Sequence, residues 1–484
     1  MSYITRACVA AAAGIALAAG GVTGASASAA APRALQAVTV TGAGTSLAAT
    51  SPGAQLWAAR YDNTGNGGAT SVAVSPDGKT AFVTGYTTAA GAEDYATVAY
   101  NAATGAQLWA ARYNDPGHST DQAYSVAVSP NGKAVFITGE SLTTTPGEDY
   151  ATVAYNAATG AQLWAARYDS PSNNGAAAEV AVSPDSKAVF VTGSSLGTPT
   201  GEDYATVAYN AATGAQLWVA RYDGFGGGGN YAHSVAVSPN GKTVLVTGES
   251  IGTNNGYDYA TVAYNAATGA QLWASRYNGA SNGDRGANSV AVSGNTVFVT
   301  GSSYGGSTAN YDYATVAYSA ATGAQLWVKR YDGPGSGDDQ AYSVAVSPNG
   351  KAVYVTGYTG TSSTTAGYDY TTIAYSAATG AQLWLARYNG PGNFTDEAYS
   401  VAVSPSGGTV YVTGESAGTG DGWDCATVAY DAATGAQLWV ERYDGAGLGS
   451  KAFSVAVSPT AGTVFVTGYS VDGGSDYATV AYNG

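Results

Sequence analysis

One stretch of the sequence is repeated nearly letter for letter, and it constrains the fold more than any other feature. Its first full copy, residues 94–112, reads DYATVAYNAATGAQLWAAR, and further copies begin at Asp149, Asp203, Asp258, Asp312, Asp369 and Asp424. Two strand-like flanks surround an Asn-Ala-Ala-Thr-Gly connection, which is typical of a β-hairpin. If Tyr100 faces Ala106 across the turn, antiparallel counting places Asp94 opposite Arg112. The sequence therefore predicts a charged pair that helps to set the register of each hairpin.

A second hairpin pattern lies between successive copies of the first. Its first copy, residues 71–85, contains SVAVSPDGK followed by AFVTG, and the pattern returns seven more times. Alternating small and apolar residues, broken by Pro-Asp-Gly or Pro-Asn-Gly, predict strand, turn and strand. Each repeat therefore contains four strands and no helical pattern.

The spacing of one tryptophan per repeat indicates the architecture. Successive members are 52–57 residues apart, and they are Trp57, Trp109, Trp164, Trp218, Trp273, Trp327, Trp384 and Trp439. Four strands at a period near 50 are the signature of a propeller blade. The repeat starts with an outer-strand copy at residues 55–61, and residues 476–482 form the first half of a hairpin. We predict an all-β, eight-bladed β-propeller of four-stranded antiparallel blades, closed by pairing of the N-terminal and C-terminal strands.

The segment before the repeats predicts export. Residues 1–29 have the order of a secretory signal peptide, with Arg6, an Ala-rich apolar run and Ala-x-Ala patterns. We interpret residues 30–52 as a linker or degenerate strand, in which residues 38–52 leave open whether a strand is added, and residues 53–484 as the propeller. The mature protein is expected to be secreted or held at the cell surface, monomeric and without a membrane span. Its one remaining cysteine, Cys425, allows no internal disulfide.

The charge balance excludes some classes of partner. The formal net charge is −15, and charged residues make up 11% of the chain. Such a chain lacks the basic footprint of a nucleic-acid-binding protein and the basic clusters that bind anionic lipid. A cation or a neutral ligand such as a glycan fits better.

Two family resemblances cover residues 53–483. The repeat ARYxGPG…AYSVAVSPxGxVYVTG…YDYxTxAY, best seen from Arg330 and Ala386 onward, resembles the bacterial β-propeller-repeat family often called SBBP, whose members are mostly exported. The segment AYNAATGAQLW, residues 99–109, resembles the docking motif of quinoprotein (PQQ-type) propellers. That resemblance implies that each Trp packs between neighbouring blades. This sequence has Asn or Ser where that family usually has Asp, except at Asp431, and the motif implies blade docking rather than cofactor binding.

Residues that differ between the copies are the candidates for a site, because a site that is used once breaks the symmetry. After Val-Thr-Gly, three copies carry Glu and the others carry Tyr or Ser; acids also precede three innermost strands, where Glu397 follows one of them. The predicted ligand-binding residues at the propeller mouth are Glu140, Glu249, Glu415, Asp121, Asp338, Asp339 and Asp396. Carboxylates that converge near an axis suit calcium, although no contiguous calcium-loop spacing is present.

The sequence favours a binding or protein-interaction scaffold over an enzyme. We assign no catalytic residue, since no nucleophile elbow or nucleophile–base pair is evident, and we expect no cofactor beyond calcium as an open possibility. The first alternative is a PQQ-type quinoprotein oxidoreductase, which would need PQQ. The second is an extracellular glycan-binding propeller, for which Trp423 is the stacking candidate. The partner, protein or glycan, stays open.

Overall fold

The computed structural model describes residues 51–484 apart from short gaps. These gaps are residues 62–65, 90–91, 116–119, 143–146, 170–173, 198–200, 226–227, 253–255, 280–285, 306–309, 336, 361–366, 421, 446–448 and 472–473. The predicted signal peptide and nearly all of the predicted linker, including residues 38–50, lie outside the described residues. In the part of the chain that is described, no helix is long and apolar enough to span a membrane.

The described residues form eight four-stranded antiparallel sheets, which are the blades of a propeller, and strands are numbered in chain order. The innermost strands are β2 (Gly67–Val74), β6 (Asp121–Val128), β10 (Gly175–Val182), β14 (Asn230–Val237), β18 (Gly286–Ser293), β22 (Asp339–Val346), β26 (Asp396–Val403) and β30 (Ser450–Val457). The second strands are β3 (Thr80–Ala89), β7 (Ala134–Leu142), β11 (Ala188–Leu196), β15 (Thr243–Ile251), β19 (Thr296–Tyr304), β23 (Ala352–Gly360), β27 (Thr409–Ala417) and β31 (Val464–Val471).

The third and fourth strands complete each blade. The third strands are β4 (Ala92–Asn101), β8 (Glu148–Asn156), β12 (Glu202–Asn210), β16 (Tyr257–Asn265), β20 (Tyr311–Ser319), β24 (Tyr368–Ser376), β28 (Trp423–Asp431) and β32 (Ser475–Tyr482). The outermost strands are β5 (Gln107–Tyr113), β9 (Gln162–Tyr168), β13 (Gln216–Tyr222), β17 (Gln271–Tyr277), β21 (Gln325–Tyr331), β25 (Gln382–Tyr388), β29 (Gln437–Tyr443) and, for blade 8, β1 (Gln55–Tyr61).

The ring closes as predicted, because β1 pairs with β32 in the last blade. The connection between these two strands is assembled from two distant segments. The Gly53 amide donates to the Asn483 carbonyl at 2.7 Å, and the Asn483 amide donates to the Ala54 carbonyl at 2.9 Å. The same two bonds close the continuous turn between Asn101 and Ala106 in blade 1. The eighth turn is therefore a split copy of the other seven.

The predicted register of the hairpins is wrong, because each hairpin contains a β-bulge that strict antiparallel counting omits. Arg112 lies opposite Ala96 rather than Asp94, and Tyr100 lies opposite Gln107 rather than Ala106. An irregularity next to Gln107 leaves Leu108 without a ladder partner, which shifts the pairing beyond it. Asp94 is two residues from Ala96 and so lies on the same face of the strand, within diagonal reach of a long side chain.

The charged partners themselves are confirmed at seven of the eight positions. Arginine–aspartate distances are 2.7–3.9 Å for Arg60–Asp476, Arg112–Asp94, Arg167–Asp149, Arg221–Asp203, Arg276–Asp258, Arg330–Asp312 and Arg442–Asp424. Among the described residues the exception is Arg387, which donates to the Tyr331 hydroxyl of the preceding blade. Burial, with a smaller contribution from Asp396, raises the pKa of Asp369 to about 6.

The repeated tryptophan joins each blade to the next. The Trp109 Nε1–H donates to the carbonyl of Ala157, in the turn of the following blade, at 3.0 Å. The ring also covers Gly160, whose φ is +70° and where an added Cβ would lie 2.6 Å from the Trp109 ring. Only glycine combines that backbone conformation with so close an approach. Six further tryptophans donate to the equivalent carbonyl of the next blade, the kind of contact that a docking role requires; they are Trp57, Trp164, Trp218, Trp273, Trp327 and Trp384.

The ring of Trp439 covers the glycine of the split turn as the other tryptophan rings cover theirs. An added Cβ at Gly53 would lie 2.9 Å from the Trp439 ring, and Gly53 has a φ of +83°. The ring centroid of Trp439 is 6.0 Å from that of Tyr482. The two ends of the described chain thus build the last docking position of the ring.

A circle of hydrogen bonds surrounds the axis. In seven blades a serine hydroxyl near the middle of the innermost strand accepts the N–H of a valine in the next blade, as Ser71 does from Val126 at 3.4 Å. In blade 3 the carboxylate of Glu179 replaces the serine and accepts the N–H of Val235 at 2.7 Å. Glu179 is 4% exposed, so this acid serves the frame of the ring.

We predict that Gly160→Ala destabilises the protein more than Gly294→Ala. Gly294 also has a positive φ, +57°, but an added Cβ there meets no atom within 4 Å. Gly294→Ala should cost about 1–2 kcal/mol for the left-handed backbone alone. Gly160→Ala adds displacement of Trp109, an overpacking cost of about 1–3 kcal/mol. Urea unfolding midpoints compare the two, and equal shifts would contradict the docking argument.

Deletion of Gln55–Tyr61 should lower the thermal unfolding midpoint strongly. The deletion removes the outer strand of blade 8, the Arg60–Asp476 ion pair and the Trp57 contact with Ala102. It also leaves the edge of β32 unpaired. Circular dichroism melting measures the effect against a control that lacks residues 1–50. A midpoint equal to that of the control would show that closure contributes nothing to stability.

Candidate functional site

Three positions in each blade vary while the surrounding strands stay nearly constant, and all three lie at one end of the axis. That end, where innermost strands begin and second strands end, is called the mouth. The central position is a β-bulge in the innermost strand. Its residues are Thr70, Tyr124, Ala178, His233, Asn288, Tyr342, Tyr399 and Phe453. The other two positions are the residue two places before the bulge and its partner on the second strand.

The predicted glutamates occupy the second-strand position of this set. Glu140, Glu249 and Glu415 lie in blades 2, 4 and 7, opposite Gln122, Tyr231 and Glu397. The structure therefore places them at the mouth but in separate sectors. Burial raises the pKa of Glu140 to about 7, and Glu148 and Glu93 add to this effect. Their role in ligand binding stays a prediction.

The four predicted aspartates lie where the connections enter the innermost strands. Asp121, Asp339 and Asp396 each begin an innermost strand and are fully buried. Each accepts a backbone N–H from the connection that precedes it, as Asp396 does from Gly390 at 2.7 Å. Asp338 accepts the N–H of Tyr311 in the preceding blade at 3.2 Å. These contacts fix the connections that lead into the innermost strands. A ligand-binding role for the four acids also stays a prediction.

One group of three carboxylates is close enough to share an ion. Oxygen atoms of Asp312, Asp332 and Asp339 lie within 4.8 Å of one another. Arg330 already pairs with Asp312 at 2.8 Å, and Asp339 accepts two backbone N–H groups. Burial raises the pKa of Asp339 to about 7, and the neighbouring Asp312 and Asp332 add to this effect. A proton on Asp339 and the Arg330 guanidinium reduce the negative charge here, and the calcium hypothesis stays a prediction.

Residues that differ from those of the other copies are most concentrated where blade 7 meets blade 8. The Tyr399 hydroxyl lies 3.0 Å from Glu397 Oε2 and 2.7 Å from Glu415 Oε1. Lys451 from the next innermost strand forms an ion pair with Glu415. Its Nζ also lies 5.2 Å from the ring centroid of Trp423. Burial and the neighbouring Glu415 raise the pKa of Glu397 to about 7, against a lowering effect of the Tyr399 hydrogen bond and Lys451.

Aromatic side chains extend this cluster around the mouth. Their ring centroids are 5.4–5.8 Å apart from each neighbour to the next, in the range of aromatic pairs. We call this set the mouth arc, and it consists of Tyr358, Tyr342, Tyr399, Phe453 and Tyr469. All but Tyr358 are partly exposed. The arc spans blades 6 to 8, whereas the bulges of blades 1, 3 and 5 carry Thr, Ala and Asn.

Cys425 marks the same junction. In the other blades the equivalent residue is a buried tyrosine, and its hydroxyl donates to a carbonyl of the next blade, as Tyr370 does to Ala426 at 3.2 Å. Cys425 replaces that ring directly opposite Glu415. Burial raises the pKa of its thiol well above the usual range, which keeps it protonated.

Sequence reasoning missed the bulge position and with it most of the mouth arc. Tyr342, Tyr399 and Phe453 sit inside the strand pattern, so they read as ordinary strand residues. Among the eight copies, the residue before each S/E-V-A-V segment shows six residue types in otherwise constant surroundings, and the bulge geometry explains why this residue varies; in order it is Thr, Tyr, Ala, His, Asn, Tyr, Tyr and Phe. The variation of this one residue between the copies was the sequence signal for the bulge position.

Comparison with known proteins shows the family. A family model of PQQ-like repeats, described as outer membrane protein assembly factor BamB, matches residues 43–251, 202–358 and 258–484. The chain therefore belongs to this BamB-type family of PQQ-like repeat propellers. The more specific resemblance to the SBBP-type family stays a prediction. No curated protein matches the chain.

Solved structures share the fold at low sequence identity. Sqt1 from Chaetomium thermophilum, bound to the N-terminus of ribosomal protein L10, is 14% identical with a TM-score of 0.56, covering 88% of this chain and 98% of its own. Quinohemoprotein alcohol dehydrogenase from Comamonas testosteroni is 12% identical with a TM-score of 0.56, covering 88% and 76%. Quinohemoprotein alcohol dehydrogenase ADHIIG from Pseudomonas putida HK5 is 14% identical with a TM-score of 0.53, covering 89% and 76%. These likenesses show the fold alone.

The unfolding midpoint should be higher at pH 5 than at pH 8. The pKa values of Glu140, Asp339 and Glu397 are raised to about 7 in the folded protein, above their ordinary values. Between about 4 and 7 the folded state therefore binds more protons than the unfolded state, and stability falls as pH rises through this window. Glu397→Gln, which cannot titrate, should reduce the difference, whereas exposed Asp185→Asn should leave it. A midpoint that rises from pH 5 to pH 8 would contradict these assignments.

Proposed function

We propose that this protein is an exported, non-catalytic β-propeller that binds a segment of a partner protein at the mouth arc. The proposal rests on the place where the blades differ most from one another. The eight blades keep nearly the same docking, charge and hydrogen-bond networks, with single substitutions, while aromatic side chains collect at three consecutive bulges at one end of the axis. Partly exposed aromatic residues are enriched at protein interfaces and supply most of the binding free energy there.

The known relatives are consistent with a binding role. The family description names an assembly factor, and Sqt1 is a propeller whose structure contains a bound protein N-terminus. Export is supported by the signal-peptide pattern of residues 1–29. The glycan alternative is less well supported, because Lys451 covers one face of Trp423, the ring proposed for stacking on a sugar.

A peptide library tests the proposal. Peptides selected on the immobilised propeller should bind at least tenfold more weakly to the triple variant Tyr342→Ala, Tyr399→Ala, Phe453→Ala, since each interface aromatic contributes on the order of 1 kcal/mol or more. Ala178 occupies the same position in blade 3, so alanine is compatible with the strand. The affinities are compared by fluorescence anisotropy, with folding of each variant checked by circular dichroism.

A matched control separates the mouth from the rim of the ring. Leu383, Leu438 and Leu56 lie on the outer strands of blades 6, 7 and 8 and are 52%, 52% and 37% exposed. Their triple change to alanine removes a similar apolar area and should leave peptide affinity unchanged. Loss of binding in the leucine variant with full binding in the arc variant would overturn the proposal.

Reconstitution with PQQ and calcium tests the enzyme alternative. The proposal expects no stoichiometric chromophore and no dye-linked oxidation of alcohols or sugars by the purified protein. A bound quinone with turnover would identify an oxidoreductase and overturn the non-catalytic assignment.

A further inference from the structure

In blade 7 the carboxyl of Glu397, the hydroxyl of Tyr399 and the carboxyl of Glu415 form a chain of hydrogen bonds. When both glutamates are ionised, this chain has one proton too few for its two hydrogen bonds. Tyr399 lies within hydrogen-bond distance of Glu397 and of Glu415, but a phenol carries one proton. It can donate to one carboxylate only. Two hydrogen bonds in line therefore require a second proton, and Glu397 is the group that can hold it, because the other carboxyl group, that of Glu415, forms an ion pair with Lys451.

The charges of the cluster leave Glu397 without a cation of its own. Lys451 compensates Glu415, and in the described part of the chain the hydrogen bonds of the Glu397 carboxyl are limited to Tyr399. Ionisation of Glu397 would give the cluster a net charge of −1. A carboxylate that is partly buried among aromatic rings binds a single positive charge well, because both ring faces and the acid attract it.

We propose, building on the proposed function, that the partner segment is basic and that Glu397 receives one lysine or arginine side chain of it at the mouth arc. The incoming cation takes the place of the proton on Glu397. Tyr399 and Phe453, 5.8 Å apart, present rings beside this acid. The formal net charge of −15 favours approach of a basic segment over approach of nucleic acid or anionic lipid.

The surroundings of Glu397 agree with exchange of a proton for a cation. The groups that act on its ionisation are Glu415 from β27, Lys451 from β30 and Tyr399 from its own strand, while burial is the largest influence and raises its pKa to about 7. The other titratable side chains near the mouth, on β26 itself and on the strands packed against it, are Asp339, Tyr342, Tyr358, Tyr368, Asp369, Tyr370 and Asp396. Ligand binding should therefore release a proton near neutral pH.

Blade 2 contains a natural version of this cluster that has an amide in place of the acid at the Glu397 position. Gln122, Tyr124 and Glu140 occupy the positions of Glu397, Tyr399 and Glu415. The Tyr124 hydroxyl lies 3.1 Å from Gln122 Oε1. Gln340 stands at the same position in blade 6. Glu397→Gln therefore introduces a side chain that the ring already accommodates twice.

The test is the pH dependence of binding to labelled hexa-arginine peptide, measured by fluorescence anisotropy on the full-length mature protein at constant ionic strength. Between pH 6 and pH 8 the ionised fraction of a carboxyl with a pKa of about 7 rises about tenfold, so affinity should rise about tenfold. Glu397→Gln should abolish this rise and bind weakly at both pH values. Hexa-glutamate should not bind.

A control of equal charge separates the site from general attraction. Glu441→Gln removes one acid from the outermost strand of the same blade and should leave both the affinity and its pH dependence as in the unchanged protein. Equal effects of Glu441→Gln and Glu397→Gln, or a persistent pH dependence in Glu397→Gln, would overturn the inference. If library peptides bind through the mouth arc and Glu397→Gln has no effect on them, this inference fails while the proposed function stands. If no peptide depends on the arc, the proposed function fails.

Discussion

The contact between a tryptophan and the turn of the next blade is the interaction on which the whole ring depends. Each blade by itself is a sheet of about fifty residues with two apolar faces, too small to form a stable core. The buried clusters accordingly combine residues of neighbouring blades, as Trp109 with Tyr155 and Ala157 shows. The indole N–H fixes the direction of the turn and the ring fixes its distance. Because the last of these turns is built from Gly53 and Asn483, the same contact also closes the chain into a circle.

Most ionisable groups of the repeat are used to maintain this frame. In seven blades the arginine of the outermost strand holds an aspartate of the same blade, and in several blades this arginine reaches a tyrosine hydroxyl of the preceding blade, as Arg221 does with Asp203 and Tyr168. Even Glu179, an acid in the innermost strand, replaces a serine in the circle of hydrogen bonds. A charged residue near the axis is therefore no sign of a ligand site until its structural partners are known.

The sequence was sufficient to predict the number of blades, the closure and the docking role of the tryptophans, because all three follow from periodicity. It was insufficient for features that depend on a single inserted residue. The bulge at Leu108 moves Arg112 from Asp94 to Ala96, and strict alternation cannot predict such a shift. Strict alternation also fails to predict the bulge of the innermost strand, so Tyr399 was not recognised as a mouth residue. Conversely, Asp339 and Asp396 looked like mouth ligands from their place in the sequence, but burial and backbone N–H donors give them structural contacts.

The mouth of blade 7 differs from these structural networks because it contains a carboxyl group, that of Glu397, whose charge no cation in the described part of the ring compensates. Gln122 shows that an amide satisfies the geometry of this position, so the fold has no need of a carboxyl there. Glu397 introduces a burial cost and repulsion from Glu415, both of which oppose its ionisation in the folded protein. Binding sites commonly retain such unfavourable groups, because the ligand supplies the compensating charge. The replacement of the usual tyrosine by Cys425, and the presence of Lys451 and Trp423 at the same junction, concentrate three departures from the repeat around one acid. In a ring whose other blades are so alike, that concentration is the physical argument for placing the function there.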